Sequence, residues 1–487
     1  MAGDAASRRR RRKRCWRLLR DPRVRLEWRS ILVCGGGSSA VYPVLYGRSG
    51  CCSWAAAVKV LLINNHSVLN VGDHAILVET LRLLQAGVPQ VEIVLTFNDT
   101  VSAQAMLPGY PIRSSPLTWM TRTAEDGETT VAVARWRQAG LIVLLVLQAL
   151  IYRLTHLTPR LFVDDRKHDL VRAFAAAELV LACGGGYIYA SGPHDGVLGG
   201  FNLRLINCVL AVLMGKPLVL LPQSIGPLYD IPQRRIVQWI VRRARLTFVR
   251  ERQSLAILQA LGCAERALYA PDLAFGMTSA PDERTAQLRE HVRAVSLQPA
   301  FLVGMTAINW HGQNIAFDRQ QRYEQALISF IDTITAKGGV VVFFNQCCGP
   351  TAVEDDRLVH ARLRERVAQA RRVILIDDVL PPDVIQAAYG EMDYFVGTRL
   401  HSVILALNAG VPSIAIGYLQ KTAGVLGAVG LTDWCCDINE LTAEQLGAMF
   451  SRLQQQAVQP EASAYVQRAG RTKQTLPALL RMVVGKG

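Results

Sequence analysis

Two residues near the end of the chain, Arg399 and His401, combine a permanent cation with a side chain that titrates near neutral pH. They follow a short apolar strand predicted at 394–397, and Ser402 is placed to cap the helix predicted next. The carboxyl end of a parallel strand facing a helix N-terminus is where α/β proteins bind anions. If this linker is extended, both side chains project to one side, as an anion clamp and a proton carrier would.

The same two residues also have an ordinary structural interpretation. Arg399 would then cap a neighbouring helix, and His401 would be a hydrogen-bonded histidine of the core. Because single Arg-x-His triplets are common, the triplet alone favours this structural role. The rest of the chain has to decide between the two interpretations.

A second candidate segment lies at the start of the globular part. The apolar strand predicted at 58–64 runs into a polar loop that contains Asn70, Gly72 and Asp73, and a helix is predicted at 75–84. The loop has neither the dinucleotide-binding glycine pattern nor a P-loop lysine, so neither of those nucleotide sites is predicted. Asp73 is expected either to cap the helix or to face a ligand.

Three further strand ends carry polar residues or glycines that suit a binding site. They are the glycines Gly184, Gly185 and Gly186 after the strand at 177–183, Gln223 and Ser224 after the strand at 217–221, and Arg250 and Glu251 after the strand at 246–249. Glycines at such a turn allow a backbone to approach a ligand closely.

Strands and helices alternate over residues 58–275 and again over 301–418, which predicts two parallel, doubly wound α/β sheets. Their carboxyl edges are expected to face each other across a cleft. We predict five segments: a basic leader at 1–57, an N-terminal domain at 58–276, a linker at 277–297, a C-terminal domain at 298–440, and C-terminal helices at 441–487.

The chain has 487 residues and a net charge of +15, and half of its residues are hydrophobic, which is enough for two cores. Residues 1–29 hold twelve Lys or Arg against three acidic residues, so most of the excess charge lies in the leader. We interpret this leader as a solvated segment, with contact to an anionic membrane surface as the alternative. Nucleic acid is not an expected partner.

The eleven cysteines form no CxxC pair and no Cys/His set at zinc spacing, which predicts free thiols in a reducing compartment and no metal site. No secretory signal pattern is evident, so we expect a cytoplasmic protein. The apolar run at 141–152 is shorter than the ~20 residues that span a bilayer. We predict that it is a buried helix, and the alternative is association with the inner face of a membrane.

Taken together, the candidate segments resemble the motifs of the polysaccharide pyruvyl transferase family. The resemblance covers about residues 58–427 and rests on seven motifs in order: Asn70-Val71-Gly72-Asp73, Gly184-Gly185-Gly186, Gln223-Ser224-Ile225-Gly226-Pro227, Val249-Arg250-Glu251 with Ser254, Pro271-Asp272, Gly397-Thr398-Arg399-Leu400-His401, and Tyr418 with Lys421. It implies two Rossmann-like domains around a central cleft, similar to GT-B glycosyltransferases.

The resemblance further implies transfer of pyruvate from phosphoenolpyruvate to two sugar hydroxyls as a cyclic ketal, with no cofactor. Arg399 and Leu400 match the family's phosphoenolpyruvate-binding triplet, and Arg250 is the candidate for a second clamp. His401 would be the acid, and either Asp73 or Glu251 would be the base, with Asp73 preferred for its position in the loop. Lys421 would add positive charge near the phosphate. The remaining candidates shape the pocket: Asn70, Gly72, Gly184, Gly185, Gly186, Gln223 and Ser224.

Two alternatives remain open at this point. One is a nucleotide-sugar-dependent glycosyltransferase with the same architecture, in which Arg399 and Lys421 hold a diphosphate. The other is a non-catalytic glycan-binding or membrane-associated protein. Whether His401 protonates C3 of the donor or assists phosphate departure is also open.

Overall fold

The computed structural model describes residues 57–484, apart from 89, 124–129, 194, 196–199, 284, 288, 289, 291–298, 315, 419, 457 and 458. The leader predicted at 1–57 lies outside this part except for its last residue. About half of the linker predicted at 277–297 lies outside it as well.

The N-terminal sheet contains eight parallel strands in the order β10-β9-β8-β6-β1-β2-β3, with β7 added against β8. Its central strands are apolar and buried because helices cover both faces. These strands are β1 (Val58–Asn65), β2 (Val91–Phe97), β3 (Ile112–Ser114), β6 (Leu179–Ala182), β7 (Gly185–Ile188), β8 (Leu218–Ile225), β9 (Leu246–Val249) and β10 (Ala267–Tyr269). A separate antiparallel ribbon joins β4 (Thr121–Thr123) and β5 (Thr130–Ala132).

The C-terminal sheet contains six parallel strands in the order β13-β12-β11-β14-β15-β16. They are β11 (Leu302–Thr306), β12 (Val340–Phe344), β13 (Val373–Ile376), β14 (Tyr394–Gly397), β15 (Ser413–Gly417) and β16 (Cys435–Asp437). The strand-helix alternation therefore predicted two parallel sheets correctly.

The helices pack on both faces of the two sheets and are numbered in chain order. They are α1 (Val71–Gly87), α2 (Thr100–Met106), α3 (Pro116–Trp119), α4 (Arg135–Thr155), α5 (Asp165–Ala176), α6 (Gly200–Leu213), α7 (Ile231–Arg243), α8 (Arg252–Ala260), α9 (Trp310–Gln313), α10 (Gln320–Ala336), α11 (Asp356–Arg366), α12 (Pro382–Tyr389), α13 (Leu400–Asn408), α14 (Gln420–Val429), α15 (Ala443–Gln456), α16 (Pro460–Lys473) and α17 (Leu476–Val484).

The last helices tie the end of the chain to the N-terminal sheet. Helix α17 packs against α1, and the Nζ atom of Lys473 donates to Oε2 of Glu79 at 2.6 Å and to the carbonyl of Leu273 at 3.0 Å. Both charged side chains are 2% exposed. The C-terminal segment therefore bridges elements far apart in sequence.

The predicted burial of the apolar run at 141–152 is wrong. Helix α4 buries only Gln138, Leu145, Gln148 and Ala149, and its opposite face is exposed. In the described part of the chain it is the one helix long and apolar enough to cross a bilayer, as judged by length and composition only. The amides of Gln138 and Gln148 take inward positions, and the sequence interpretation had not distinguished the inward from the outward side chains of this run.

Candidate functional site

A cleft of about 430 Å³ lies between the facing carboxyl edges of the two sheets. Both domains line it with polar side chains. Nine of the residues that the sequence singled out are among the lining residues: Asn70, Asp73, Gly184, Gly186, Arg250, Arg399, Leu400, His401 and Tyr418. Strand ends that are distant in the sequence therefore meet at one place, as parallel sheets require.

Arg399 presents an unpaired donor at this cleft. Its Nη2 atom donates to Oδ1 of Asp356 at 2.7 Å, whereas its buried Nε has no partner among the described residues. Burial lowers the pKa of Arg399, but Asp356 outweighs this effect and keeps the pKa above its ordinary value. Arg399 is therefore a fixed cation with one free hydrogen-bonding edge.

The cap predicted for the helix after Arg399 differs from the observed one. Helix α13 begins at Leu400 with Arg399 at the N-cap position, and Ser402 lies inside the helix, where its hydroxyl donates to the Arg399 carbonyl. Because the helix begins at Leu400, before the predicted cap at Ser402, His401 lies in its first turn. His401 still lines the same cleft as Arg399.

His401 faces a buried carboxylate of the other domain. Its Nε2 atom lies 3.5 Å from Oδ2 of Asp272, which also accepts a hydrogen bond from Nη1 of Arg250. Burial raises the pKa of Asp272, but Arg250 and His401 outweigh that and bring it below its ordinary value. Asp272 is therefore an anion that faces the imidazole at ion-pair distance, whereas Nε2 of His401 has no hydrogen-bond partner among the described residues.

Gly72 gives the imidazole of His401 its room. A Cβ atom at position 72 would lie 2.1 Å from Nδ1 of His401, which is far inside van der Waals contact. Gly72 therefore supports the site through its missing side chain, although it is not among the residues that line the cleft.

Asp73 enters the cleft from the first turn of α1. The predicted capping role is wrong, because Asn70 is the N-cap and its Oδ1 accepts from the backbone N–H groups of Gly72 and Asp73. An Asn is as good a cap as an Asp, and the sequence could not rank them. Within the described residues no hydrogen bond or ion pair holds the Asp73 carboxylate, so it is available to a ligand.

Glu251 lies outside the cleft lining, in a buried network. Its carboxylate accepts from the hydroxyls of Ser224, at 3.0 Å, and Ser254, and Arg250 donates through Nε to Ser224 at 2.8 Å. Arg250 lines the cleft but is 1% exposed, and its charge is paired with Asp272. Burial raises the pKa of Glu251, and Arg250 opposes that rise.

The other predicted site residues surround this network. Gln223 is buried with both amide atoms unpartnered among the described residues. Gly184 needs its missing side chain because a Cβ atom would approach the Pro222 carbonyl to 2.6 Å, and Gly185 has a φ of 125°. Lys421 lies in the first turn of α14, and its side chain is outside the described part.

A group of neutral polar residues on the N-terminal domain was missed by the sequence interpretation. Asn64, in the left-handed region at φ 67°, accepts a hydrogen bond from Nδ2 of Asn207 at 3.1 Å, and Nδ2 of Asn207 also lies 3.2 Å from Oγ of Ser115. Asn65 and Asn98 complete this group, which we call the amide wall, and all five residues line the cleft. The positive φ of Asn64 distinguishes this group in the structure, and a backbone angle of this kind cannot be read from the sequence.

Arg204 lines the cleft together with Arg250 and Arg399, and the sequence interpretation missed it. It stacks on the ring of Tyr189, and its Nη2 donates to the Tyr189 carbonyl at 2.6 Å and lies 3.5 Å from Asp195. Its Nε is buried and has no partner among the described residues. Because Arg204 lies inside helix α6 rather than at a strand end, the search for polar strand ends passed over it.

His66 and Glu354 bridge the cleft between the two domains. Nε2 of His66 lies 3.2 Å from Oε1 of Glu354, and Nδ1 of His66 lies 3.2 Å from the Asn98 amide. Burial lowers the pKa of His66, but Glu354 outweighs it and raises the pKa overall. Burial raises the pKa of Glu354, and His66 brings it below its ordinary value.

The described residues contain no cluster of three or more His, Cys, Asp or Glu side chains suited to a metal ion. The seven cysteines among them are free.

Comparison with known sequences gives a family match and a curated relative. The family model for polysaccharide pyruvyl transferases matches residues 70–420. The chain is also similar to the amylovoran biosynthesis protein AmsJ of Erwinia amylovora, with 24% identity over 398 residues that cover 79% of this chain and 89% of that protein.

Comparison with solved structures confirms the two-domain Rossmann-like prediction. The chain is similar to S. aureus MnaA, solved with UDP, with a TM-score of 0.54 and 10% identity over 88% of this chain and 98% of that one. A putative UDP-N-acetylglucosamine 2-epimerase from Listeria monocytogenes gives a TM-score of 0.53 and 11% identity over 89% and 98%. At these identities the likeness shows the fold alone.

Proposed function

The chain belongs to the polysaccharide pyruvyl transferase family, and on this basis we propose that it transfers the pyruvyl group of phosphoenolpyruvate to two hydroxyls of a sugar. The sugar belongs to a polysaccharide or to its lipid-linked precursor. The products are a cyclic ketal and inorganic phosphate.

The observation that carries this proposal is the meeting of Arg399 and His401 at one cleft. Arg399 offers an unpaired buried Nε to an anion, and His401 beside it has Nε2 3.5 Å from the Asp272 carboxylate. Phosphoenolpyruvate has a carboxylate, which a guanidinium binds well, and an enol carbon that must gain a proton.

The proton balance assigns a role to His401 and Asp73. His401 gives a proton to C3 through Nδ1, since Nε2 faces Asp272, and C2 then becomes the electrophile. The two hydroxyl oxygens form bonds to C2 while the bond from C2 to the phosphate oxygen breaks. Of the two protons that the hydroxyls lose to Asp73, one restores His401 and the other leaves with phosphate.

The amide wall is the acceptor side of the cleft in this proposal. Asn64, Asn65, Asn98 and Asn207 are neutral groups that both donate and accept, which suits sugar hydroxyls better than a charged donor. It lies on the N-terminal domain, whereas Arg399 belongs to the C-terminal domain.

The remaining predicted residues keep supporting roles in the proposal. Arg250 holds Asp272, Leu400 packs beside Arg399, and Lys421 adds charge for the phosphate. Gly184 and Gly186 shape the cleft between donor and acceptor, Gly185, Gln223 and Ser224 support it from outside the lining, and Glu251 accepts a hydrogen bond from Ser224. The scheme needs no cofactor, and the free thiols suit a cytoplasmic enzyme.

Incubation with phosphoenolpyruvate labelled in the pyruvyl group, together with a panel of free and lipid-linked glycans, tests this function. We expect phosphate release and transfer of label into an acid-labile ketal, both lost in Arg399→Gln and retained in the control Arg371→Gln, which changes an exposed arginine. Hydrolysis of a nucleotide sugar with no use of phosphoenolpyruvate would replace the proposal with a glycosyltransferase. A cellular phenotype unchanged by Arg399→Gln would replace it with a non-catalytic scaffold.

A further inference from the structure

Helix α4 carries apolar side chains on its outward face as well as on its inward face. Leu145 and Ala149 are buried in the core together with the amides of Gln138 and Gln148. The outward face also carries large apolar side chains, of which Trp136 is 72% exposed and Leu154 82%. An apolar face of this size on the solvent side points to surroundings other than water.

The exposed apolar side chains form one straight stripe, which we call the α4 stripe. It consists of Trp136, Val143, Leu147, Leu150 and Leu154. At about 100° per residue, these five positions fall within about 40° of a single direction around the helix axis. Scattered surface leucines would have no such common direction.

Positive charge borders the α4 stripe on both sides. Arg135 and Arg137 are exposed and lie about 100° to either side of the stripe, where long side chains can reach the head groups beside a buried apolar face. Arg153 lies on the same side as Arg135, and its guanidinium packs beside Gly215. No Asp or Glu occurs from residue 130 to residue 163. The stripe and its borders therefore match an anionic surface with an apolar interior.

We propose that the α4 stripe docks on the surface of a bilayer that contains anionic phospholipids, with the helix axis lying in the plane of the interface. The inward face of α4 packs against α6 of the N-terminal domain. The Tyr152 hydroxyl of α4 also donates to the Ala175 carbonyl of α5, a helix with several charged side chains, so α4 cannot cross the bilayer without breaking these contacts. A second copy of the chain is a poorer occupant, because a two-fold pairing would bring the same arginines together without a carboxylate from this segment.

The position of α4 gives the docking a consequence for the cleft. Helix α6, against which α4 packs, supplies Leu203, Arg204 and Asn207 to the cleft. The bilayer surface then lies one helix layer from the proposed acceptor side, where a lipid-linked sugar would be delivered. This consequence rests on the proposed function, whereas the lipid docking does not.

Vesicle flotation of the full chain tests the docking. We expect flotation with vesicles of phosphatidylcholine plus phosphatidylglycerol and much less with phosphatidylcholine alone. Leu147→Glu with Leu150→Glu should weaken binding at least ~10-fold, and Arg137→Gln should weaken it about 5-fold with the anionic vesicles only. The matched control is Leu358→Glu with Val379→Glu, which changes two apolar residues exposed elsewhere and should float like the unaltered chain.

Three results would overturn the docking. Flotation that the Leu147→Glu, Leu150→Glu chain retains would assign lipid binding to another part of the chain. If the unaltered chain stays with the membrane during alkaline carbonate extraction, α4 is a spanning helix. If the unaltered chain is a dimer and the Leu147→Glu, Leu150→Glu chain is a monomer, the stripe binds a second copy. Turnover of a soluble acceptor should be unchanged in this variant. If the unaltered chain floats but consumes no phosphoenolpyruvate, only the proposed function fails.

Discussion

The Nε2 atom of His401 lies 3.5 Å from Oδ2 of Asp272, and these two residues come from opposite domains. The same carboxylate accepts from Arg250, so one buried anion connects a structural arginine to the imidazole at the cleft. The orientation of the imidazole therefore depends on how the two domains are docked. Substrate binding that changes the domain arrangement would also change the alignment of the proposed acid.

Replacement of His401 by Gln should abolish turnover without unfolding the chain. Gln retains polarity and size but cannot donate a proton to carbon, so we expect kcat to fall by about 10²–10⁴-fold. His311→Gln, which changes a histidine outside the cleft lining, is the matched control. Phosphate release and thermal unfolding are measured for both variants. Full activity in His401→Gln as well as in His311→Gln would contradict the proposed role of His401.

Gly72→Ala should reduce activity because the new methyl group would displace the side chain of His401. The new Cβ would approach Nδ1 of His401 to 2.1 Å, so the imidazole must shift, and a displacement of about 1 Å costs roughly 10²-fold in kcat. Gly447→Ala is the control, because a Cβ at that helix position meets open space. It should leave kcat unchanged and raise helix stability by up to about 1 kcal/mol.

The sequence predicted the location of the site better than its internal contacts. Parallel strands bring their carboxyl ends to one edge, so Asp73, Gly184 and Arg399 could be assigned to one cleft from their positions after strands. The pairing of His401 with Asp272 depends on how two domains dock, and no local pattern encodes that. Asp272 was visible as part of a motif but had no assigned role.

Two contacts that local sequence patterns did not reveal have a common physical origin, because tertiary packing decides both. Glu251 follows Arg250 directly, yet it is an extended residue whose side chain turns to Ser224 and Ser254 instead of the cleft. The apolar run in α4 was expected to be buried because apolar residues usually are. Composition alone could not show that Gln138 and Gln148 occupy the inward face.

The bridge between His66 and Glu354 should stabilise the chain within a limited pH range. The pKa of His66 is raised, so its contribution is complete below about 6.5 and is lost as pH rises through the raised value. The pKa of Glu354 is lowered, so its contribution is complete above about 4.5 and is lost as pH falls through the lowered value.

A double-mutant cycle in urea unfolding with His66→Gln and Glu354→Gln measures this coupling. Because His66 is partly exposed, we expect at most about 1 kcal/mol near pH 5.5 and almost none at about pH 9. A coupling that grew with pH would contradict the assigned charges.

Lys473→Met should destabilise the whole chain through an interface distant from the cleft. It removes a buried partner of Glu79, whose one other cationic partner among the described residues is Arg82. We expect a loss of about 3 kcal/mol in the free energy of unfolding. Lys337→Met, at an exposed helix end, should cost less than about 0.5 kcal/mol in the same denaturant titration.

Asp73→Asn and Glu251→Gln separate the two candidate bases, because each should affect a different property. The Asp73 carboxylate is unengaged within the described residues and lines the cleft, so its loss should reduce kcat by about 10²–10⁴-fold with little change in unfolding. The Glu251 carboxylate accepts from Ser224 and Ser254 inside the protein, so Glu251→Gln should chiefly lower stability, by about 1–3 kcal/mol. Steady-state kinetics and urea unfolding of both variants decide the matter. An active Asp73→Asn enzyme together with an inactive but fully stable Glu251→Gln enzyme would transfer the base to Glu251, and the acceptor hydroxyls would then have to approach from the side of Ser224.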